Sequence, residues 1–238
     1  MPDIRVEAAS EQDIPRLMEI VIPAFEAGEY PQIVGDTNTT ENLLAAGSRH
    51  LFAWQEHARS FSHPVGIKCV YTDVFSGKES IIASAEWLVY DRPRSEQEFI
   101  QPSYLLTADW VSDHVERQKA RDLLRPMLDK RIEWFAGRPY TLLIYMATDP
   151  VFRRKGAASA CVQWGLDRCV KLGIPAYLEA SEAGAPVYER LGFQVCDSVQ
   201  TGSATCAVMI WWPPNMDPDQ RKPVLNAADV RRIRGENV

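Results

Sequence analysis

The chain predicts a mixed α/β fold, a central sheet with helices packed against it. Three observations carry that prediction. Residues 140–193 read as strand, tight link, long helix, strand and short helix. Residues 65–73 and 80–90 are apolar runs on either side of a turn at Phe75-Ser76-Gly77-Lys78, the pattern of neighbouring antiparallel strands. Residues 194–199 and 205–212 flank Thr201-Gly202-Ser203 and read as a second hairpin. With the opening run 4–8, these make about seven strands.

In order, Ile4, Val6 and Ala8 alternate with Arg5 and Glu7, the signature of a strand with one buried face. Ser10 as cap, with Asp13 in the first turn, starts a helix that presents Ile14, Leu17, Met18 and Val21; Pro23 ends or bends it. Residues 26–38 are turn-rich, with Gly28, Pro31 and Gly35. A second helix, 40–57, uses Leu43, Leu44, Phe52 and Trp54 as its apolar surface, and Gly47 weakens its middle. The strand ending in IIASAEWLVY carries Glu86 within an apolar run. That carboxylate either faces a cleft, where it can accept a proton, or forms the polar half of an alternating strand.

Residues 91–139 separate the third and fourth strands. A structureless loop of that length is improbable, so this insertion is expected to pack on the sheet. Its helical part, 112–136, carries a stripe of Val115, Leu123, Leu124, Met127, Leu128 and Phe135. Pro126 costs about 3 kcal/mol inside a helix, which predicts a kink or two helices meeting there.

The unit 140–193 holds the chemistry. The apolar run 141–147 is a strand covered on both faces, and Asp149-Pro150 ends it. Arg153-Arg154-Lys155-Gly156-Ala157-Ala158 leads into a helix to about Lys171, stopped by Gly173. The first amides of a helix lack partners and face the positive end of its dipole, which suits phosphate. Small residues at Gly156, Ala157 and Ala158 allow close approach, and Arg153, Arg154 and Lys155 add positive charge. The same residues also suit an ordinary helix start with solvated basic side chains. The link lacks the glycine-lysine-serine/threonine ending of a P-loop and the three glycines of a dinucleotide fingerprint.

Strand, Asp-Pro, Arg153-x-x-Gly156-x-Ala158, long helix, strand, short helix with Tyr188, then Leu191-Gly192-Phe193 resembles the GCN5-related N-acetyltransferase superfamily. The first motif matches the family's acyl-CoA signature, and Tyr188 matches its tyrosine shortly before Gly-Phe. The resemblance is strongest over residues 140–212. It implies an acetyl-CoA-dependent acyltransferase fold: a central, twisted, mostly antiparallel sheet with a helical insertion between strands 3 and 4. It implies residues 1–212 as a single N-acetyltransferase domain, with 91–139 as the insertion and 213–238 as a polar extension. That tail reads as loosely attached, with a short helix at 224–233 and solvated Arg231, Arg232 and Arg234.

The resemblance further implies direct acetyl transfer from acetyl-CoA to a primary amine, here a small molecule. The alternatives are a protein or peptide amine, or a non-catalytic acyl-CoA-binding regulatory role. Backbone near Tyr145, Met146 and Ala147 would meet the pantetheine arm, backbone N–H groups around Met146 or Ala147 would polarise the acetyl carbonyl, and residues 153–158 would hold the pyrophosphate. Tyr188 would protonate the departing thiolate, while Glu86 or Asp149 would take the amine proton; Asp149 can instead simply cap its turn. Glu179 and Ser181 would lie within reach of cofactor or acceptor. Phe25 and Tyr30 either line the acceptor pocket or pack a loop on the core. The insertion either covers the acceptor site or forms a homodimer surface.

Composition excludes other classes. The net charge of −6 argues against a dedicated nucleic-acid binder. No run of about 18 apolar residues is present to span a membrane. Five cysteines and four histidines show no zinc spacing, so no metal is expected. The cysteines read as reduced thiols in a cytoplasmic protein.

Overall fold

The computed structural model describes residues 3–25, 39–61, 65–101, 107–108 and 111–235; Tyr30 and the turn-rich stretch around it lie outside these. The alternation at the start forms the edge strand β1 (Asp3–Ala8). The apolar pair forms β2 (Gly66–Thr72) and β3 (Glu79–Tyr90), antiparallel to one another. The turn between them is tied by Asp73, whose Oδ1 accepts from the amides of Phe75 (3.2 Å) and Ser76 (2.8 Å). The strands β4 (Tyr140–Thr148), β5 (Ala176–Ala180), β6 (Gln194–Thr201) and β7 (Ala204–Trp211) complete one sheet in the order β1-β2-β3-β4-β5-β7-β6. Among the described residues, only the β4–β5 contact is parallel.

Helices cover both faces, as the near-continuous apolar character of β3 and β4 requires. On one face lie α1 (Ile14–Phe25) and α2 (Thr40–Phe61), with Leu17, Met18 and Val21 packed in a core that includes Leu142, Tyr145 and Tyr177. On the other lie α5 (Ala157–Leu172) and α6 (Ala185–Arg190), where Cys161, Val162 and Leu166 join Ile67, Ala85, Trp87 and Leu143. Gly165 is what allows α5 its close approach: a Cβ there would lie 2.2 Å from the Trp87 ring. The cysteines are all unpaired thiols, three buried and two half-buried.

The insertion contributes α3 (Glu96–Phe99) and α4 (His114–Phe135) between β3 and β4. Of the two outcomes expected at Pro126, two separate helices are not formed: α4 runs through the proline as one helix. Its ends are held firmly enough to outweigh the proline. Asp113 caps the start by accepting from the Val115 and Glu116 amides. Past the proline, Ile132, Trp134 and Phe135 are buried and Lys130 bridges Glu133 and Asp197 of β6. The Thr201 hydroxyl donates to the Leu123 carbonyl just ahead of it.

The tail also departs from expectation, because it docks. In α7 (Ala227–Ile233), Val230 is 2% exposed and packs with Phe99, Ile132 and Ala136. The amides of Val224 and Leu225 donate to the Glu133 carbonyl, and Arg138 donates to the carbonyls of Gln220 and Lys222. Arg234, read as solvated, pairs with Asp129 of α4 at 2.8 Å. Two apolar side chains, Leu225 and Val230, with an ion pair and a set of bonds to main-chain carbonyls, hold a segment that composition suggested was loosely attached.

Candidate active site

The site begins with a one-residue irregularity in β4. Glu86 pairs with Tyr145 but the next residue, Trp87, pairs with Leu143, so Ile144 is extra. Side chains alternate along a strand, and one inserted residue reverses every position beyond it. Tyr140 and Leu142 face α1 and α2; strict alternation would send Tyr145 and Ala147 to the α5 face. The bulge returns both to the α1 face, beside Glu86, and leaves Met146 with Leu143 on the α5 side.

The same strand then parts from its neighbour. β4 and β5 pair only at Thr141–Ala176 and Leu142–Tyr177. Beyond that point β5 stays with β7 through Ala180, while β4 stays with β3 through Thr148. A wedge opens between them, with Tyr145, Met146 and Ala147 on its β4 side. Main-chain groups along such an edge need partners, and an extended ligand with amide groups can provide them.

At the end of β4, Asp149 caps the Pro150–Phe152 turn by accepting from the Val151 amide at 3.0 Å. Its other oxygen pairs with Arg16 of α1. Burial acts against the Arg16 charge, yet its carboxylate partners Asp149 and Glu19 raise its pKa overall. Asp149 thus does hold the turn, one of the two roles its position allowed. The chain then winds through left-handed backbone at Arg154 (φ 63°) and Gly156 (φ 87°) before α5 starts. Among the described residues, no amide from Arg154 to Ser159 finds a hydrogen-bond acceptor. Arg153, Arg154, Lys155 and Gly156 are exposed around these amides, whereas Ala157 is buried in the core and Ala158 is half-buried. The Lys155 ammonium stands 4.8 Å from the Tyr71 ring centre. A row of free amides at a helix start, ringed by cations, has the chemistry that suits an anion.

Tyr188 sits on α6, half-buried, with its ring edge-on to Phe193 at 5.9 Å. Burial pushes its pKa up to about 12, so the hydroxyl keeps its proton at neutral pH. Ser181 belongs to the turn before α6: its Oγ accepts from the Gly184 amide at 3.3 Å, and its carbonyl accepts from Gly184 and Ala185. Glu179 is not presented to solvent. It forms a buried two-point pair with Arg131 of α4, at 2.8 and 2.9 Å. Burial lowers the Arg131 pKa, and Glu179 more than reverses that. The insertion therefore reaches the β5 wall of the wedge.

Glu86 lies on the α2 side of the sheet and is 1% exposed. Its Oε2 is 3.0 Å from Nδ1 of His50, a residue of α2 that is itself 5% exposed. The His50 ring stands edge-on to Tyr145, with centroids 5.6 Å apart, and the Tyr145 and Ser84 hydroxyls are 3.2 Å apart. Sequence reasoning missed His50 by testing histidines only for metal spacing. The signal was present: Ala46, His50 and Trp54 recur every four residues along the buried stripe of α2, with one polar residue in the middle.

Comparisons with known proteins agree on the architecture. A model described as the Acetyltransferase (GNAT) family matches residues 125–193. The probable acyltransferase SID5 of Ajellomyces capsulatus is 40% identical over 42 residues, 18% of this chain and 31% of that protein. A histone acetyltransferase HPA2 and related acetyltransferase from Corynebacterium glutamicum superposes with a TM-score of 0.51 at 22% identity, over 92% of this chain and 99% of that one. A putative arylalkylamine N-acetyltransferase 7 from the yellow fever mosquito gives 0.58 at 14% identity, over 88% and 87%. An agmatine N-acetyltransferase gives 0.52 at 12% identity, over 88% and 100%. At these identities the superpositions bear on the fold alone.

Proposed function

We propose, from the premise that this chain has the fold of the GCN5-related N-acetyltransferase superfamily, that it transfers an acetyl group from acetyl-CoA to the primary amine of a small molecule. The observation that carries the reading is the juxtaposition of the β4–β5 wedge with the free amides of residues 154–159. The two features suit one ligand. The wedge offers main-chain partners to the amides of a pantetheine arm, and the loop offers amides and cations to a pyrophosphate. Tyr145, Met146 and Ala147 would flank the arm; Arg153, Arg154, Lys155, Gly156, Ala157 and Ala158 would surround the phosphates. Ser181, at the foot of α6, would sit near the thiol end with Tyr188.

An ammonium has no lone pair, so a proton must leave before attack. Asp149 is a poor acceptor because Arg16 and the Val151 amide hold it. The Glu86 cluster, on the acceptor face beside Tyr145, is the better one. As the C–S bond breaks, the departing sulfur needs a proton, and the Tyr188 hydroxyl carries one at neutral pH. The acceptor face is roofed by α1, α2 and α4, which suits a small amine better than an extended peptide. The proteins that share the fold include arylalkylamine and agmatine acetyltransferases and also a histone acetyltransferase, so their names leave the choice of acceptor to the assay.

The test is a calorimetric titration with acetyl-CoA beside dephospho-CoA and adenosine, followed by thiol release with agmatine, a polyamine, an arylalkylamine and a lysine peptide. Micromolar binding that requires the pyrophosphate-pantetheine portion, with turnover of a small amine, is the expected result. Turnover confined to the peptide would reassign the acceptor. Binding without any turnover would make the protein an acyl-CoA-binding regulator.

A further inference from the structure

We infer that the cavity beneath the insertion is a binding site for the headgroup of a small carboxylate, separate from the β4–β5 wedge. The cavity has a volume of about 20 Å³ and lies between the insertion and the start of β4. Its polar walls are Arg94, Arg131, Tyr90 and Tyr140, with Gln101 at the exposed rim, and Phe99 and Ile132 add apolar surface. Tyr140 and Leu142 of its wall lie on the paired side of the β4–β5 contact, whereas the wedge opens beyond the Leu142–Tyr177 pair. Phe135, stacked on Tyr140 at 4.1 Å and edge-on to Tyr177 at 5.6 Å, packs between the two strands there.

The donors around the cavity are held in place by the fold. Arg131 is 7% exposed and gives Nε and Nη2 to Glu179, a two-point contact that fixes its plane and leaves Nη1 for another acceptor. Arg94 is tied to the end of α4: its amide donates to the Gly137 carbonyl at 2.8 Å and its Nη2 to the Ala136 carbonyl at 3.2 Å. That approach requires glycine at 137, where a Cβ would lie 2.1 Å from the Arg94 carbonyl oxygen. The Arg94 guanidinium lies over the Tyr90 ring, 3.9 Å from its centre. Its Nε is buried and meets no acceptor among the described residues. A buried donor in that state calls for an acceptor. The hydroxyl of Tyr140, a residue 3% exposed, also has no hydrogen-bond partner among the described residues. Burial raises the pKa of Tyr90 and Tyr140, so both phenols keep the protons they can donate.

Charge and size then select the ligand. Two guanidiniums face the cavity, and one carboxylate, Glu179, answers them through Arg131. Glu98, close to Arg94 in sequence, is taken by Arg92 and Ser95, and no carboxylate among the described residues pairs with Arg94. One positive charge is left over, which a monovalent anion balances. Guanidinium nitrogens only donate and carboxylate oxygens only accept, so the two match. A single water needs roughly 10–15 Å³ on the same measure. The cavity therefore has room for a planar carboxylate headgroup and not for a tetrahedral phosphate or sulfate, and a short chain attached to the headgroup would leave past the rim at Gln101.

The test titrates sodium formate and sodium acetate into the full chain in chloride-free buffer, by calorimetry and thermal melts, with sodium sulfate at matched ionic strength as the control. The wild type should bind both carboxylates saturably, with a rise in Tm that sulfate does not produce. Tyr140→Phe keeps the ring on Phe135 and removes one donor. It should weaken formate binding about tenfold or more, while being no less stable than wild type without formate, because an unpaired buried hydroxyl has gone. Arg94→Gln removes the unanswered charge and should abolish binding; if that variant fails to fold, Tyr140→Phe decides alone. Absence of saturable binding by the wild type, an equal response to sulfate, or unchanged affinity in Tyr140→Phe would each overturn the inference. Saturation by chloride and not by formate would overturn the carboxylate assignment. These measurements read binding rather than turnover, so the acetyltransferase reading stands or falls separately.

Discussion

Two glycines at opposite ends of α5 allow the anion site to be separated from simple helix stability. Gly156 precedes the helix at φ 87° and Gly173 follows it at φ 66°. Alanine in left-handed backbone costs about 1–2 kcal/mol. Crowding adds nothing at either position: a Cβ at Gly156 would meet only Ile4, at 3.8 Å, and one at Gly173 would meet nothing within 4 Å. Gly156→Ala and Gly173→Ala should therefore destabilise the protein by similar amounts, each kcal/mol lowering Tm by about 2–4 °C in a chain of this size. Their effects on acetyl-CoA should differ. Relieving strain at Gly156 turns the free amides beside it away from the phosphates. Losing one charge-assisted hydrogen bond, about 1.5–3 kcal/mol, weakens binding roughly ten- to over a hundredfold. Gly173 lies at the far end of the helix and should leave affinity unchanged. Thermal melts and calorimetric titrations of the two variants decide the matter. Equal affinities in the two, whether both normal or both weakened, would refute the phosphate assignment.

Other substitutions probe other parts of the site. Gly165→Ala drives a methyl into the Trp87 ring; overpacking of about 1–3 kcal/mol should exceed the gain of about 1 kcal/mol in helix propensity, and a urea midpoint at or above wild type would count against the packing described. Glu179→Ala strands Arg131 as a buried charge and should cost about 3–5 kcal/mol. The pair Arg131→Met with Glu179→Leu should recover most of that loss, and a neutral single variant would show the ion pair to be unimportant. Tyr188→Phe should lower kcat and spare acetyl-CoA affinity. Because burial raises this phenol to about 12, its neutral form persists as pH rises past the unperturbed value near 10. No loss of rate at pH 9 should trace to it, and a limb there that vanishes in the Phe variant would contradict the assignment.

Periodicity and turn chemistry made most of the scaffold readable. Strand, basic link, helix and strand over residues 140–180 stand where apolar runs and Gly173 put them. What escaped depends on contacts between distant segments. The bulge at Ile144 leaves no mark in the run TLLIYMAT, since every residue there tolerates either face. Pro126 was weighed by its local cost, whereas the helix is kept by Arg131 and Lys130 reaching β5 and β6. For Glu86 a cleft or solvent seemed the alternatives; burial against a histidine on another element was a third. The tail misled because its attachments are mostly main-chain bonds, which composition does not encode.

The sheet order has a consequence for how the protein is made. β5, one wall of the wedge, shares only two residue pairs with β4 but is matched along its whole length by β7, which the ribosome delivers after β6. Until residues 204–211 slot between β5 and β6, β5 is a nearly unsupported edge and β6 has no neighbour in the sheet. A nascent or truncated chain would then expose two unpaired strand edges, that of β5 largely apolar, the kind of species that aggregates or engages chaperones. The wedge between β4 and β5 should therefore take shape late in synthesis, once the hairpin of β6 and β7 is in place.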